Sequence, residues 1–370
     1  MNITFLIGNG FDRALGLHTD YESFIKAYVL QKEEQVRKGV LESDSPLVKI
    51  CEDMKRNPKT WADAERAFGK LKFSGMGTSP IAVYDKCYDD FVESFDERIR
   101  AENERFLSGK QVPCEMRDAF LTSLLRLDKH IVSSRQMPYL DYLCSMGDVV
   151  LNFIDFNYTD TLQFVLDATD GGPAQWEEKV PHDRVVRAKM GSICHVHGSF
   201  ANDDIVFGVD NDAQVLDENV RDYCRLTGGL LKAKVDENTR AGHEREAVRI
   251  LKSSQLIVLY GLSFGETDMS WWSRVFDMVV GGRARLVVCP YCTKHLKARN
   301  AKKRCDLAAQ PIRDVFRAIR SKPNVAGWLV FPDPSKSIAL ETYDESTSSG
   351  EKRHCDYFGL GKIGEYVLNG

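Results

Sequence analysis

The chain has 370 residues, enough for one large domain carrying an insertion or for two domains. Its 43% hydrophobic and 28% charged residues suit a folded globular protein and exclude a largely disordered one. Lys and Arg number 50 against 54 Asp and Glu, and a net charge of −4 gives no overall electrostatic case for nucleic acid or membrane.

The first element is a strand, Ile3-Thr4-Phe5-Leu6-Ile7, with no signal-peptide pattern before it. Ten cysteines, mostly set singly in apolar stretches, then predict reduced thiols and a cytoplasmic location. No apolar run approaches the roughly 18 residues of a membrane span. Gly8-Asn9-Gly10-Phe11-Asp12 follows the strand directly. Glycine there permits positive φ and close approach of a ligand to the backbone, and the helix start behind it offers N–H groups and a positive dipole end to phosphate. The full dinucleotide fingerprint is missing, because Phe11-Asp12-Arg13 stands where a third glycine would fall. A purely structural tight turn is the competing reading.

From Tyr21 to Met146 the period changes. Ile81, Tyr84, Tyr88, Phe91, Phe95 and Ile99 recur at helical spacing, as do Phe120, Leu121, Leu124, Leu127 and Ile131, with Pro113 and Pro138 as punctuation. This stretch reads as a helical insertion after the first strand. Val149–Asn157 is the next strand, and Phe156-Asn157-Tyr158-Thr159-Asp160 closes it. Side chains at such a carboxyl end face the crevice where open α/β sheets bind ligands, and Asn157 offers a donor and an acceptor to a ribose or a water. Helix capping by Thr159 or Asp160 is the alternative.

Ile193–His197 ends in His195-Val196-His197-Gly198-Ser199. Alternation puts both histidines on one face, and His197 beside a glycine turn suits a general base that titrates near neutrality. A metal pair would need a third ligand that the sequence does not supply. Asp204–Val209 reads as a further strand and His243–Lys252 as a helix. Gln255–Tyr260 is apolar on both faces, the pattern of a covered parallel strand. Gly261-Leu262-Ser263-Phe264 is a second strand-end glycine turn whose Ser263 could donate to phosphate or ribose. Asp268 reads as the cap of a helix over Met269–Val280. Beyond strand Arg285–Cys289, Cys289-Pro290-Tyr291-Cys292 has metal-like or redox-like spacing but no second pair, and reads as an ordinary strand end. Lys294, Lys297, Arg299, Lys302, Lys303 and Arg304 form a basic cluster, either a solvated face or a nucleic-acid contact. Trp328–Phe331 is the last strand, and Ser335–Cys355 has loop composition.

Strands alternating with helices predict an α/β fold with a Rossmann-like, mostly parallel sheet and a large helical insertion after the first strand. The divisions expected are a nucleotide-binding core of 1–20 plus 147–334, an insertion of 21–146 and a C-terminal extension of 335–370.

Taken together, Phe5-Leu6-Ile7-Gly8-Asn9-Gly10-Phe11-Asp12, Gly16-Leu17-His18-Thr19-Asp20-Tyr21 and Trp61-Ala62-Asp63-Ala64-Glu65 resemble the AbiH family of bacteriophage abortive-infection proteins. Phe156-Asn157-Tyr158-Thr159, His197-Gly198-Ser199, Phe207-Gly208-Val209-Asp210 and Gly261-Leu262-Ser263-Phe264 complete that resemblance in order over about residues 1 to 280. The same order is more distantly similar to sirtuin-like NAD-binding proteins. Their glycine loop corresponds to Gly8–Asp12, their Gly-Ile-Pro-Asp-Phe segment to Gly16–Tyr21, their catalytic Asn and His to Asn157 and His197, and their Gly-x-Ser turn to Gly261–Ser263. The pattern departs from theirs in three places. Thr159 stands where they carry Asp, the paired Cys-x-x-Cys ribbon is missing, and Gly16–Tyr21 lacks the proline.

The resemblance implies an antiphage protein that cleaves the nicotinamide–ribose bond of NAD and depletes it on infection, without a metal. Asn157, His197 and Asp12 would carry catalysis. Gly8, Asn9, Gly10, Phe11, Thr159, Gly261, Ser263 and Phe264 would hold the nucleotide, and Glu65 would close over the site from the insertion. Expected partners are NAD or a related nucleotide, a phage component or a companion defence protein, and a second copy of the chain in a homo-oligomer, with no membrane. The alternatives are a nucleotide-binding sensor without turnover and a nucleic-acid-directed toxin using Lys294–Arg304.

Overall fold

The computed structural model describes residues 1–73, 79–129, 133–166, 175–201, 204–239, 242–289, 314–315, 329–330 and 360–369. Its strands are β1 (Asn2–Ile7), β2 (Val149–Asp155), β3 (Gln175–Val180), β4 (Arg184–His195), β5 (Leu256–Tyr260), β6 (Arg285–Cys289) and β7 (Leu329–Val330). They form one seven-stranded sheet in the order β3-β4-β2-β1-β5-β6-β7. Every neighbouring pair is parallel except β3 with β4.

The register brings the strand ends level. Ile7 pairs with Asp155 on one side and Tyr260 on the other, Asp155 pairs with His195, and Tyr260 with Cys289. The residues that follow, Gly8, Phe156, Val196 and Gly261, therefore leave the sheet along one edge. This levelling lets loops separated by more than a hundred residues in sequence build a common site.

The helices are α1 (Gly10–Ala14), α2 (Tyr21–Arg37), α3 (Pro46–Arg56), α4 (Ala64–Gly69), α5 (Pro80–Leu107), α6 (Cys114–Leu125), α7 (Ser133–Ser145), α8 (Thr161–Leu166), α9 (Glu218–Thr227), α10 (Lys232–Thr239), α11 (His243–Lys252), α12 (Met269–Val280) and α13 (Leu360–Asn369). Side-chain caps start several of them. Asp20, Ser45, Asp63, Ser79 and Asp217 accept first-turn N–H groups, and Pro46 and Pro80 sit just inside the helices they open.

Both sheet faces are covered, as the apolar strands require. On one face Phe5, Leu151, Phe153 and Val258 pack against Leu124, Leu143 and Val165, and Leu360, Ile363 and Val367 of α13 join the same core. On the other, Leu6, Ile154, Ile257 and Leu259 meet Ile250, Trp272 and Phe276 of α11 and α12. A third core holds α2 to α5. Phe24, Tyr28, Phe68, Phe91 and Phe95 pack there edge to face and tilted, around Phe207, Val209, Leu230 and Leu231. The helices between residues 21 and 107 are thus sealed by a segment that lies beyond β4, while α6 and α7 cover the sheet itself.

Two sequence expectations are corrected, and one element was missed. Asp204–Val209 is not a strand: Phe207 and Val209 are drawn into the third core, leaving one isolated bridge between Val209 and Leu231. Pro138 lies inside α7 rather than at its boundary. The β3–β4 hairpin was not expected at all, because charged residues fill β3 and its turn carries no glycine. His182 and Asp183 supply the two positive φ values, 66° and 55°, that a tight hairpin needs. Residues 290–313, which include Cys292 and the basic cluster, and Ser335–Cys355 lie outside the described residues. Among the described residues no helix is long and apolar enough to cross a membrane.

Candidate functional site

Two glycine turns meet at the level strand ends. The Gly8 N–H donates to Tyr260 O and the Gly10 N–H to Gly261 O, at 2.9 and 2.8 Å, while the Phe11 N–H returns to Gly8 O. A Cβ on Gly10 would sit 2.5 Å from Gly261 Cα, and one on Gly261, whose φ is +69°, would sit 2.8 Å from Gly10 Cα. These two glycines are therefore required by backbone-to-backbone packing, and the Gly8 and Gly10 N–H groups are used within the protein. Of the N–H groups that the turn and the helix start were expected to offer a phosphate, those of Gly10 and Phe11 are taken by Gly261 O and Gly8 O. What the turn presents is Asn9, whose side chain is tied to Thr19.

Behind these turns lies a cavity of about 160 Å³. Of the residues singled out from the sequence, Gly8, Asn9, Asp12, Asn157, His197, Gly261, Ser263 and Glu65 line it together. Four of the expected nucleotide contacts fall outside its lining. Gly10 packs on Gly261, Phe11 is buried in the sheet core, Thr159 is buried beneath Asp12, and Phe264, at φ +57°, lies tilted against Trp272.

Asn157 is set by a turn that its own strand makes. Asp155 accepts the Asn157 N–H at 2.9 Å, and the Asn157 carboxamide donates to Gly8 O at 3.3 Å. Asp155 is fully buried, and burial drives its carboxyl well above the ordinary range. Asp12 is 1% exposed and accepts hydrogen bonds from Thr159 and Thr161 at 2.8 and 2.6 Å. Burial, against those hydrogen bonds, pushes its pKa up to about 6. Neither Thr159 nor Thr161 was expected as an Asp12 partner; Thr159 had been weighed as a nucleotide contact or a helix cap.

The densest electrostatic feature was not read from the sequence. His197 Nε2 lies 3.3 Å from Asp268 Oδ1, and Lys232 Nζ reaches the same oxygen at 2.9 Å. Lys232 also pairs with Glu65 at 2.8 Å and donates to Thr267 O at 3.3 Å. The expected capping of α12 by the Asp268 side chain is therefore not made; its carboxylate is turned to Lys232 and His197 instead. Burial opposes the charge on Asp268, but the Lys232 ammonium and His197 outweigh it and hold the carboxyl below the usual range. Lys232 is likewise disfavoured by burial and held above its ordinary value by Asp268 and Glu65. His197 Nδ1 is buried without a partner among the described residues. Beside it, Tyr158 donates to Glu65, and burial together with the Glu65 charge raises the Tyr158 and Tyr21 hydroxyls, keeping both protonated.

The lining is therefore acidic. Asp12, Asp63, Glu65 and Asp268 face Lys232 and His197, with Tyr21, Phe95, Tyr158 and Trp272 as aromatic walls. Lys232 lacked a sequence signal because it opens a weakly patterned helix. Glu65 was legible through Trp61-x-Asp63-x-Glu65 alone. A family model described as bacteriophage abortive infection AbiH matches residues 4–289 of the chain. No curated protein matches it.

Proposed function

The chain belongs to the AbiH family of bacteriophage abortive infection proteins, and from that premise we propose that its cavity binds NAD and hydrolyses the nicotinamide–ribose bond. The observation that carries the reading is the convergence of Asn157 and His197, from separate strand ends, on one cavity with the two glycine turns. The strand order supports it too. Setting the antiparallel β3 aside, the parallel strands numbered along the chain run 3-2-1-4-5-6, the order of doubly wound dinucleotide-binding sheets, with the cavity beside the strand where the order reverses. This favours the Rossmann-like, sirtuin-like interpretation.

At about 160 Å³ the cavity is smaller than the roughly 300–1,000 Å³ of common small-molecule pockets. It suits the nicotinamide–ribose end, and the pyrophosphate and adenosine lie toward the mouth past Asn9 and Ser263. An acidic, aromatic lining favours the cationic pyridinium and disfavours phosphate. Heterolysis of the C1′–N bond sends its electron pair to the ring nitrogen, releasing neutral nicotinamide and leaving oxocarbenium charge on the ribose. Asn157 orients a ribose hydroxyl or the attacking water. With its proton on Nε2 and shared with Asp268, His197 presents Nδ1 as the base that deprotonates that water, and ADP-ribose forms. The Asp268–His197 pairing follows the logic by which a carboxylate fixes a histidine tautomer and balances the imidazolium.

Incubating the purified protein with NAD labelled in the nicotinamide ring tests this. Time-dependent release of free nicotinamide is expected. Binding of NAD with no release above buffer would leave the sensor reading in its place.

A further inference from the structure

Resting on the base role proposed for His197, we propose that Lys232 and Glu65 are positioning residues that set the proton-accepting state of His197 through the shared oxygen of Asp268.

A buried lysine facing a nucleotide cavity invites the reading of a phosphate ligand. The geometry argues otherwise. An ammonium has three N–H donors, and Lys232 spends them on Glu65, Asp268 and Thr267 O at 2.8, 2.9 and 3.3 Å. An anion could bind only by breaking one of these contacts. Glu65 is equally committed, since its other oxygen accepts from the Tyr158 hydroxyl and the Gly208 N–H. The four groups form a line, Glu65–Lys232–Asp268–His197, that runs from α4 through the start of α10 to the turn before α12 and the loop after β4. All four side chains are at least four-fifths buried, so each charge is weakly screened.

Counting charge shows what the line does. With neutral His197 the four groups sum to −1, and a proton on His197 brings them to zero. With that proton in place these four groups carry no net charge among themselves. Removing the positive charge of Lys232 would leave His197 facing two uncompensated carboxylates and holding its proton too firmly to act as a base. Removing the negative charge of Glu65 would do the reverse. The remaining titratable groups lining the same cavity are Tyr158 beside the His197 ring, Tyr21, Asp12 and Asp63. An adjoining cavity that shares His197, Lys232 and Asp268 adds Asp210, Asp236, Glu244 and Arg274. Asp210 accepts from the Ser270 N–H, Asp236 from the His243 and Glu244 N–H groups, and Arg274 pairs with Glu244. Neither substitution touches these contacts.

The test compares Lys232→Met, Lys232→Arg and Glu65→Gln with the parent protein. The imidazole of His197, assigned by its loss in His197→Ala, is titrated by NMR, and the pH profile of nicotinamide release is recorded alongside. Relative to the parent, Lys232→Met should move the imidazole transition and the acidic limb of kcat/KM up by about one pH unit, the scale of one unit charge at close range in a partly screened interior. Glu65→Gln should move both down by less, and Lys232→Arg should restore the parent values. A purely structural role predicts loss of activity with no displacement, or displacement in one direction for both. Either result overturns the proposal. Should Lys232→Met fail to fold, an unmoved transition in Glu65→Gln does so alone. Opposite NMR displacements without nicotinamide release would uphold this line of charges and defeat the hydrolase reading; release with unmoved transitions would do the reverse.

Discussion

Asp12 shows how a single residue's environment sets a measurable stability term. Its pKa in the folded state is about 6, against 3.8 for a free carboxyl. Because the folded pKa is the higher one, the folded state binds more protons between these values, and stability falls as pH rises from about 4 to 6. A shift of two units corresponds to about 3 kcal/mol. Asp12→Asn should flatten that part of the stability–pH curve, measured by urea unfolding at a series of pH values, while parent protein keeps its slope. Asp268 has the opposite sign: its depressed pKa contributes stability at neutral pH that is lost as the solution is acidified below the usual carboxylate range. At this scale the sequence was partly informative. Asn157 and His197 were legible because strand-end positions in α/β sheets face the crevice. Lys232 and the true partner of Asp268 were not, since an ion pair closed across thirty-six positions leaves no local pattern, and an Asp before a helix reads as a cap.

At the scale of elements the glycine turns are the clearest case. Their position after β1 and β5 was evident from sequence, but the physical need for glycine is the contact between the turns rather than room for a ligand. Gly10→Ala forces a Cβ into Gly261 backbone, and overpacking of this kind costs about 3 kcal/mol where neither side can yield. A fall of that size in the unfolding free energy is expected; a change under about 0.5 kcal/mol would show that the turns separate freely. The strands β1, β2, β5 and β6 were legible because each is a short apolar run, buried on both faces. The β3–β4 hairpin was hidden by its solvated alternation and by a turn built from His182 and Asp183. Asp204–Val209 misled because β-branched and aromatic residues serve a helical core as well as a strand.

Across the whole molecule, two of the three cores reach the cavity lining, through Phe95 and Ile99 on one side and Phe156 and Trp272 on the other, and the core around Phe91 joins α2 to α5 with the segment that carries Phe207 and Leu230. That arrangement places Glu65 and Lys232, from regions far apart in sequence, within ion-pair distance. Phe91 is 1% exposed among Phe24, Tyr28, Phe68 and Phe207. Phe91→Ala should cost about 3–5 kcal/mol, read by denaturant unfolding, and a cost below 1 kcal/mol would mean that this core is not cooperative with the sheet.

The central claim is that this cavity is catalytic and that His197 is its base. It is tested most directly by comparing NAD turnover of His197→Ala with that of the parent at matched protein concentration. General-base catalysis contributes on the order of 10²–10⁴ in rate, so nicotinamide release should fall by that factor while the thermal midpoint stays close to the parent's. A folded His197→Ala protein that consumes NAD as fast as the parent would contradict the account.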